Sequence, residues 1–318
     1  MSEIKLITFD LDDTFWDIGP VIINAEVKTR EFIEKNIGEK ITWGNMKDYL
    51  AVRKTLISDD PAMEYDLTLL RKGMMNHYLQ SYFDNVSDKD ALIDRAFDFF
   101  LEERHKISFY DGVIDSLAGL TKNFSLGILT NGNADMHKLG LESYFDFSIS
   151  SEDVQSAKPD HGHFKKALEI SSLDPENILH IGDHQTCDMV GAMKAGFNVL
   201  WFNKKMESWE QDEPEPQKFS SWENGAELIT DYIESLNLMD KLLSDVLDSL
   251  KDESKKIAAE LPSEEDLVIL FDVIHEKLKE KTDAILASKG YVSEAEIKKL
   301  EKVIERLEKR LLELESKL

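Results

Sequence analysis

An apolar run that ends in a cluster of acids constrains this chain more than any other stretch. Residues 4–17 read IKLITFDLDDTFWD, and the run from Ile4 to Phe9 stops at Asp10. Open α/β sheets place their reactive groups where buried strands end. Asp10 and Asp12 are two residues apart, so in an extended chain both side chains face one site. Acids also end strands because they favour turns, and the stretch alone leaves that interpretation open.

Composition excludes several classes of protein. The chain has 318 residues, 42% of them hydrophobic, which is enough for two or three domains with a core. A net charge of −25 argues against nucleic acid as the main partner, because a phosphate backbone needs a basic surface. Cys187 is the single cysteine, so no intramolecular disulfide forms and a reducing compartment is favoured. With no secretory leader pattern and no membrane-spanning run, we expect a cytoplasmic protein.

The alternation of strands and helices defines the fold class. Four apolar strands are predicted after the first, at residues 124–129, 145–149, 177–181 and 197–202. Helices are expected between them, including one between Asn133 and Phe145, and a linker is expected at 203–224. Strands that alternate with helices imply a parallel sheet. We therefore expect an α/β fold with a doubly wound, Rossmann-like parallel sheet, an inserted helical cap and a C-terminal helical, coiled-coil tail.

Three regions are predicted along the chain. Residues 1–16 and 107–236 form the catalytic core with the sheet. Residues 17–106 lose strand character, and apolar residues recur there at helical spacing in about four helices, which predicts the cap. Residues 237–318 form the tail, whose last helix has apolar residues at alternating spacings of three and four: Ile297, Leu300, Ile304, Leu307, Leu311, Leu314 and Leu318. That pattern is typical of a coiled coil, so we expect a homo-oligomer.

Polar signals stand at the ends of separate predicted strands or in the loops that follow. They are Asp10 with Asp12, Thr130 with Asn131, Lys158, and Asp183, in this order. Each signal alone is typical of a turn or a solvated loop. Because the carboxyl ends of parallel strands meet at one edge of a sheet, their joint occurrence predicts a single site.

This motif set resembles that of the haloacid dehalogenase superfamily over about residues 4–236. DLDDT is similar to the phosphatase branch, since Asp12 stands two residues after the implied nucleophile, Asp10; dehalogenases proper carry a non-acidic residue there. The position of the helical insertion resembles that of a C1-type cap. The resemblance implies Mg²⁺ as cofactor, with the Asp10 carboxylate, the Asp12 backbone carbonyl and Asp183 as ligands. Asp188 is expected to support the metal shell.

The same residues suit phosphoryl transfer. Asp10 is expected to attack phosphorus and form a phospho-aspartate, while Asp12 protonates the leaving alcohol and then activates water. Thr130, the Asn131 backbone N–H and Lys158 are expected to bind the phosphate. Mg²⁺, a hard cation, offsets the repulsion between a carboxylate and a phosphate dianion. These expectations define a Mg²⁺-dependent phosphomonoester hydrolase; the alternative within catalysis is a phosphomutase or phosphotransferase of the same superfamily.

The substrate is expected to be a small phosphorylated metabolite. The stretches FDLDDTFWDIGPVI, HIGDHQTCDMVGA and WFNKK look like bacterial phosphatases that act on flavin mononucleotide and on phosphorylated ribitylaminouracil. The cap is expected to decide the substrate, because a closing cap supplies specificity. Candidate contacts in the cap are Arg53, Lys54, Arg71, His77 and Tyr78.

The tail has a resemblance of its own. The segment GYVSEAEIKKLEKVIERLEKRLLELESKL, with the helices before it, resembles the membrane-fusogenic, ubiquinone-accessory coiled-coil family. We favour a plain oligomerisation tail over peripheral membrane contact, because a membrane helix usually has a basic polar face, whereas Asp245, Asp248 and Asp252 are acidic. An oligomeric, membrane-associated accessory protein that carries a phosphatase domain is the alternative from another class.

Overall fold

The structure, a computed structural model, describes residues 3–237 and contains a six-stranded sheet. Its strands are β1 (Leu6–Phe9), β2 (Ser125–Thr130), β3 (Phe147–Ser150), β4 (Ile178–Gly182), β5 (Asn198–Phe202) and β6 (Lys218–Phe219). All neighbouring strands pair in parallel, in the order β3-β2-β1-β4-β5-β6. The predicted doubly wound parallel sheet is therefore confirmed. The sequence did not predict β6, which lies in the expected linker.

The strand order places β1 between β2 and β4. The chain first extends the sheet through β2 and β3 and later returns to the other side of β1 through β4 and β5. Phe9 is in register with Ile128 of β2 and Ile181 of β4, so three strands end side by side. Ligand crevices form outside the carboxyl ends of strands at such a reversal. The residues that follow β1, β2 and β4 consequently share one edge of the sheet.

Apolar side chains cover both faces of the sheet. On one face, Leu6 and Leu129 belong to a buried cluster with Phe164. On the other face, the ring of Phe9 lies 5.4 Å from the ring of Phe15 and 6.2 Å from that of Trp222, measured between centroids. Leu6 and Phe9 are three residues apart in an extended strand, so their side chains point in opposite directions. The hydrophobic run of β1 follows from this burial on both faces.

The helical insertion lies between β1 and β2. It consists of α1 (Ile18–Ile37), α2 (Met46–Asp59), α3 (Leu67–Leu79) and α4 (Val86–Arg104), with a 3₁₀ turn at Pro61–Glu64. Each helix begins after an Asp or Asn whose side chain accepts a backbone N–H: Asp17, Asn45, Asp66 and Asn85. Such caps satisfy donors that the first helical turn leaves free. Ile33, Leu79 and Ala96 join three of these helices in a buried cluster.

Four further helices lie between strands along the chain: α5 (Val113–Leu120), α6 (Ser151–Val154), α7 (Gly162–Ser171) and α8 (Gly191–Lys194), with a 3₁₀ turn at Pro175–Asn177 and a π-helix at Gln185–Val190. Residues 225–237 are also helical. The prediction of a helix between Asn133 and Phe145 was wrong, because this stretch consists of turns. Gly140 has a φ of 69° there, in the left-handed region that ends a helix.

Two expectations concern the membrane and the tail. Within residues 3–237, no helix is both long enough and apolar enough to cross a membrane. The tail predicted at 237–318 lies outside the described residues except for its first position. Its helices and its self-association therefore stay predictions.

Candidate active site

Asp10 is the first residue after β1, and the backbone fixes it at the edge of the sheet. Its N–H donates to the Ile181 carbonyl oxygen of β4 at 2.9 Å. The residue is 8% exposed, so its carboxylate needs a partner. Lys158 supplies one, since its Nζ lies 2.9 Å from Asp10 Oδ1. Burial raises the pKa of Asp10 to about 7, although Lys158 opposes that shift.

Lys158 is a buried cation with three acceptors. Its Nζ donates to Asp10 Oδ1, to the Leu129 carbonyl oxygen at 2.6 Å and to Asp188 Oδ1 at 2.6 Å. An ammonium has three N–H donors, and all of them are used here. Burial by itself lowers the pKa of Lys158, but Asp10 and Asp188 outweigh it and the pKa is raised. Lys158 therefore stays charged and ties the residues after β1 and β4 to β2.

Asn131 and Thr130 shape the loop after β2. The Asn131 side chain accepts the Lys158 backbone N–H at 2.7 Å and donates to the Lys158 carbonyl oxygen at 3.0 Å. Thr130 Oγ1 accepts the Gly132 N–H at 3.0 Å. The Asn131 side chain thus holds the backbone of the lysine loop, which leaves its own backbone N–H as the group for the predicted phosphate contact.

Asp183 and Asp188 differ in how far their charges are compensated. Asp188 Oδ1 accepts from Lys158, and its Oδ2 accepts the His184 N–H at 2.9 Å. Burial disfavours the Asp188 carboxylate, but Lys158 and His180 outweigh that effect and its pKa is lowered. Asp183 accepts a long bond of 3.4 Å from Thr14 Oγ1. Burial, together with repulsion from Asp188 and Asp10, raises the pKa of Asp183 to about 9.

This acidic cluster fits a hard cation. Asp10, Asp183 and Asp188 each offer a carboxylate oxygen, and these oxygens lie within 4.8 Å of one another. Burial and the neighbouring acids raise the pKa of Asp183, and Lys158 opposes this shift only in part. Oxygen ligands of this kind are those that Mg²⁺ and Ca²⁺ prefer. Both Asp188 oxygens already accept hydrogen bonds, from Lys158 and from the His184 N–H. The supporting role of Asp188 stays a prediction.

Asp12 faces a cation of its own. Its two carboxylate oxygens accept from Arg104 Nη2, at 3.1 Å and 2.8 Å. Asp12 Oδ2 also lies beside the loop after β2, where a Cβ at Gly132 would approach it to 2.7 Å and Thr130 Oγ1 to 3.3 Å. A side chain at position 132 would therefore displace the Asp12 carboxylate. Burial raises the pKa of Asp12, and Arg104 only partly offsets that shift.

The third acid of the DLDD stretch has a structural role. Asp13 has a φ of 62°, a conformation that L-residues rarely adopt. Its Oδ1 accepts the Ile18 N–H at 3.0 Å, and its Oδ2 accepts from Lys205 Nζ at 3.0 Å. These contacts compensate the local strain and turn the chain from β1 into α1.

All seven predicted site residues lie at this edge of the sheet, but the sequence did not indicate two further members. His180 Nε2 lies 3.4 Å from Asp188 Oδ1, and His180 Nδ1 lies 2.9 Å from Thr8 Oγ1. A buried polar residue inside the run ILHIG was the available signal. Arg104 had no signal beyond its place near the end of the predicted insertion.

Comparisons with known proteins agree with this geometry. A family model described as haloacid dehalogenase-like hydrolase matches residues 49–202. The Bacillus subtilis protein YfnB is 33% identical over 214 residues, which cover 65% of this chain and 87% of YfnB. The chain therefore belongs to the haloacid dehalogenase-like hydrolases, a family of enzymes with named phosphatases among its relatives.

Individual relatives include a phosphatase and a dehalogenase. The 5-amino-6-(5-phospho-D-ribitylamino)uracil phosphatase YigB of Escherichia coli is 27% identical over 214 residues, covering 66% of this chain and 90% of YigB. A crystal structure of YfnB bound to magnesium covers 72% of this chain and 99% of its own, with a TM-score of 0.51 and 25% identity. A 2-haloacid dehalogenase of Pseudomonas syringae gives a TM-score of 0.67 and 32% identity over 72% and 99% of the two chains.

Metal binding should depend on pH because of Asp183. An acid whose pKa is raised on folding destabilises the native state as pH rises from its unfolded value, 3.8, toward about 9. A cation that binds the ionised carboxylate reverses this loss. We therefore expect Mg²⁺ to raise the melting temperature more at pH 8 than at pH 5. At 100 times the Kd for pH 8, the stabilisation at that pH should be about 2–3 kcal/mol.

The control for this measurement is Asp160, an exposed acid on the loop that carries Lys158. Asp183→Asn should remove the Mg²⁺ dependence and stabilise the metal-free protein at pH 8, whereas the exposed Asp160→Asn should behave as the parent chain. Equal Mg²⁺ effects at both pH values would contradict the assignment.

Proposed function

We propose that this chain hydrolyses phosphomonoesters of small metabolites, with Asp10 as the nucleophile and Mg²⁺ as the cofactor. The observation that carries the proposal is the position of the Asp12 carboxylate, whose Oδ2 lies beside the loop of Thr130. An alcohol leaves phosphorus only with a proton, so a phosphatase needs such an acid. A halide leaves without one. The site therefore supports phosphate ester hydrolysis over dehalogenation.

Asp10 suits the role of nucleophile. Lys158 holds its Oδ1, which fixes the side chain, and the residue stands where the sheet opens. In the proposed reaction an Asp10 oxygen attacks phosphorus in line with the leaving oxygen, and a phospho-aspartate forms. Asp12 gives its proton to the departing alcohol. In the second half Asp12 takes a proton from water, which attacks the phospho-aspartate and releases phosphate.

Three groups of this chain are proposed to stabilise the phosphate. The Thr130 hydroxyl and the Asn131 backbone N–H donate to its oxygens, and Lys158 provides a positive charge beside Asp10. Donors held in place before the reaction stabilise developing charge without reorganisation. The Lys158–Asn131 hydrogen bonds of 2.7 Å and 3.0 Å support this, because they fix the lysine loop against the strand that ends at Thr130.

The balance of charge supports a metal cofactor. Asp10, Asp12, Asp183 and Asp188 bring four carboxylates to the edge of the sheet. Within the described residues, Lys158 pairs with Asp10 and Asp188, and Arg104 pairs with Asp12. With Asp12 protonated for the transfer proposed above, three carboxylates face two cations, so one negative charge is left before a phosphate dianion enters. We propose that Mg²⁺ binds the Asp10 carboxylate, the Asp12 carbonyl oxygen and Asp183. When bound, it neutralises the phosphate oxygens and lowers their repulsion from Asp10.

Substrate choice is proposed to lie with the insertion, residues 17–106, acting as a cap over the core, 1–16 and 107–236. The end of α4 contacts the site through Arg104, whose Nη2 lies 2.8 Å from Asp12 Oδ2, and this contact supports the proposed role of the insertion. We propose flavin mononucleotide and phosphorylated ribitylaminouracil as the first substrates to test. The similarity to the ribitylaminouracil phosphatase of Escherichia coli supports this choice.

Asp10→Asn should abolish hydrolysis of p-nitrophenyl phosphate in Mg²⁺. An amide cannot act as the attacking oxygen, so we expect turnover to fall by about 10⁴-fold or more, measured as released p-nitrophenol. Asp13→Asn is the matched control, because it removes a charge three residues away in the same stretch, where the side chain contacts Ile18 and Lys205. The control should keep most of its activity. Substantial turnover by the Asp10 variant would rule out the nucleophile.

We also propose that residues 237–318 form a homo-oligomer through their coiled-coil seam. Deleting residues 239–318 should leave an active monomer, and light scattering measures the change in mass. In the full chain, Leu307→Asp should weaken association because it places a charge in the seam, while Lys309→Asp, outside the seam, should not. An unchanged mass after the deletion would contradict the proposal.

A further inference from the structure

Arg104 is a buried cation that the sequence did not single out. It is the last residue of α4, the helix that ends the insertion, and it is 1% exposed. A charge is buried at this depth only when it is paired and hydrogen-bonded. The hydrogen-bond partners of Arg104 therefore identify the loops that its side chain holds together.

The guanidinium joins two loops of the site. Its Nη2 contacts both carboxylate oxygens of Asp12, after β1, at 3.1 Å and 2.8 Å. Its Nε donates to Asn133 Oδ1, after β2, at 3.2 Å. Nη1 is buried without a hydrogen-bond partner among the described residues. Arg104 thus fixes the orientation of the Asp12 carboxylate relative to the loop that carries Thr130.

The neighbouring residue anchors the same helix end. His105 Nε2 accepts the Asp135 N–H at 2.9 Å, so the chain directly after α4 is bound to the loop after β2. The backbone of Gly132 also packs against the guanidinium, because a Cβ at this position would lie 3.2 Å from Arg104 Nη2. The position of Arg104 is therefore set by contacts that do not involve Asp12, and the guanidinium is available in a fixed place to hold that carboxylate.

We propose that Arg104 is a positioning residue, through which the last turn of the insertion aims the Asp12 carboxylate at the leaving oxygen of the substrate. The inference rests on the proposed function, since it assigns Asp12 the proton transfer. Arg104 transfers no proton in this step and forms no bond to phosphorus. In the transfer, the O–H bond of Asp12 breaks, the proton joins the departing alkoxide, and the carboxylate that remains is paired with Arg104.

Leaving groups of different basicity separate this role from a structural one. The p-nitrophenolate ion leaves without a proton, whereas the alkoxide of glycerol 2-phosphate needs one. kcat/KM reports events up to the first irreversible step, which here is transfer to Asp10. Arg104→Lys keeps the charge but loses the planar fork that contacts Asp12 and Asn133 together. We expect it to lower kcat/KM about 100-fold for glycerol 2-phosphate and less than about 5-fold for p-nitrophenyl phosphate.

Glu103→Gln is the matched control. Glu103 is 5% exposed, lies one residue away in the same turn and pairs with Lys28 and Lys106, away from the acids of the site. It should change the melting temperature without changing the ratio of the two kcat/KM values. Equal losses for both substrates in Arg104→Lys would overturn the proposal, because damage to the fold or loss of a substrate contact at Nη1 acts on both.

A double variant tests the dependence on Asp12 and removes the risk of an unpaired buried charge. Asp12→Asn with Arg104→Gln eliminates both charges of the pair. If Arg104 acts through Asp12, the double variant should have the same kcat/KM as the single variant Asp12→Asn, for each of the two esters. A kcat/KM ten times lower in the double variant than in Asp12→Asn would overturn the proposal. If the parent chain hydrolyses neither ester, the proposed function fails; if it hydrolyses both, only the role of Arg104 is at stake.

Discussion

The buried ammonium group of Lys158 is the interaction on which the geometry of the site depends. A cation at this depth is stable only if its donors are satisfied, and its three partners come from separate strands. Asp10 follows β1, Leu129 belongs to β2, and Asp188 follows β4. These groups can meet at one atom because the three strands are parallel and end in register. At this edge, the three parallel strands therefore hold the members of one buried charge network.

A second cation serves the other side of the site. Lys158 belongs to the core and holds Asp10, while Arg104 belongs to the helical insertion and holds Asp12. The two carboxylates of one short stretch therefore have different partners. Burial raises the pKa of Asp10 to about 7 and also raises the pKa of Asp12, and in each case the paired cation opposes the shift. In the proposed mechanism, this separation matches two roles, attack at phosphorus and transfer of a proton.

Much of the fold was predictable because it depends on local patterns. Apolar runs that end in polar residues gave five of the six strands and the edge where Asp10, Thr130 and Asp183 meet. The sequence missed β6, because Lys218–Phe219 is too short for a pattern and follows a proline-containing polar stretch. The prediction of a helix after Asn133 was wrong. The spacing of apolar residues favoured a helix there, but Gly140 adopts the left-handed conformation that ends one.

The site was predictable only where motif residues carry the chemistry. Asp12 and Arg104 are 92 positions apart, and nothing in a single sequence relates the end of a helix to the end of a strand at that distance. His180 is similar, because its contacts with Thr8 and Asp188 arise from pairing of β1 with β4 and from the π-helix that follows. Tertiary pairing of buried polar groups is what sequence patterns do not encode.

The measurement that tests the account most directly is a pre-steady-state burst. Asp12→Asn should still be phosphorylated by p-nitrophenyl phosphate, because p-nitrophenolate leaves unaided, but should hydrolyse the phospho-enzyme slowly because it lacks the group that activates water. We predict a rapid release of about one equivalent of p-nitrophenol per site, followed by slow turnover, with a phosphoryl group on the peptide that contains Asp10. The absence of a burst, or a phosphoryl group on another residue, would contradict the account.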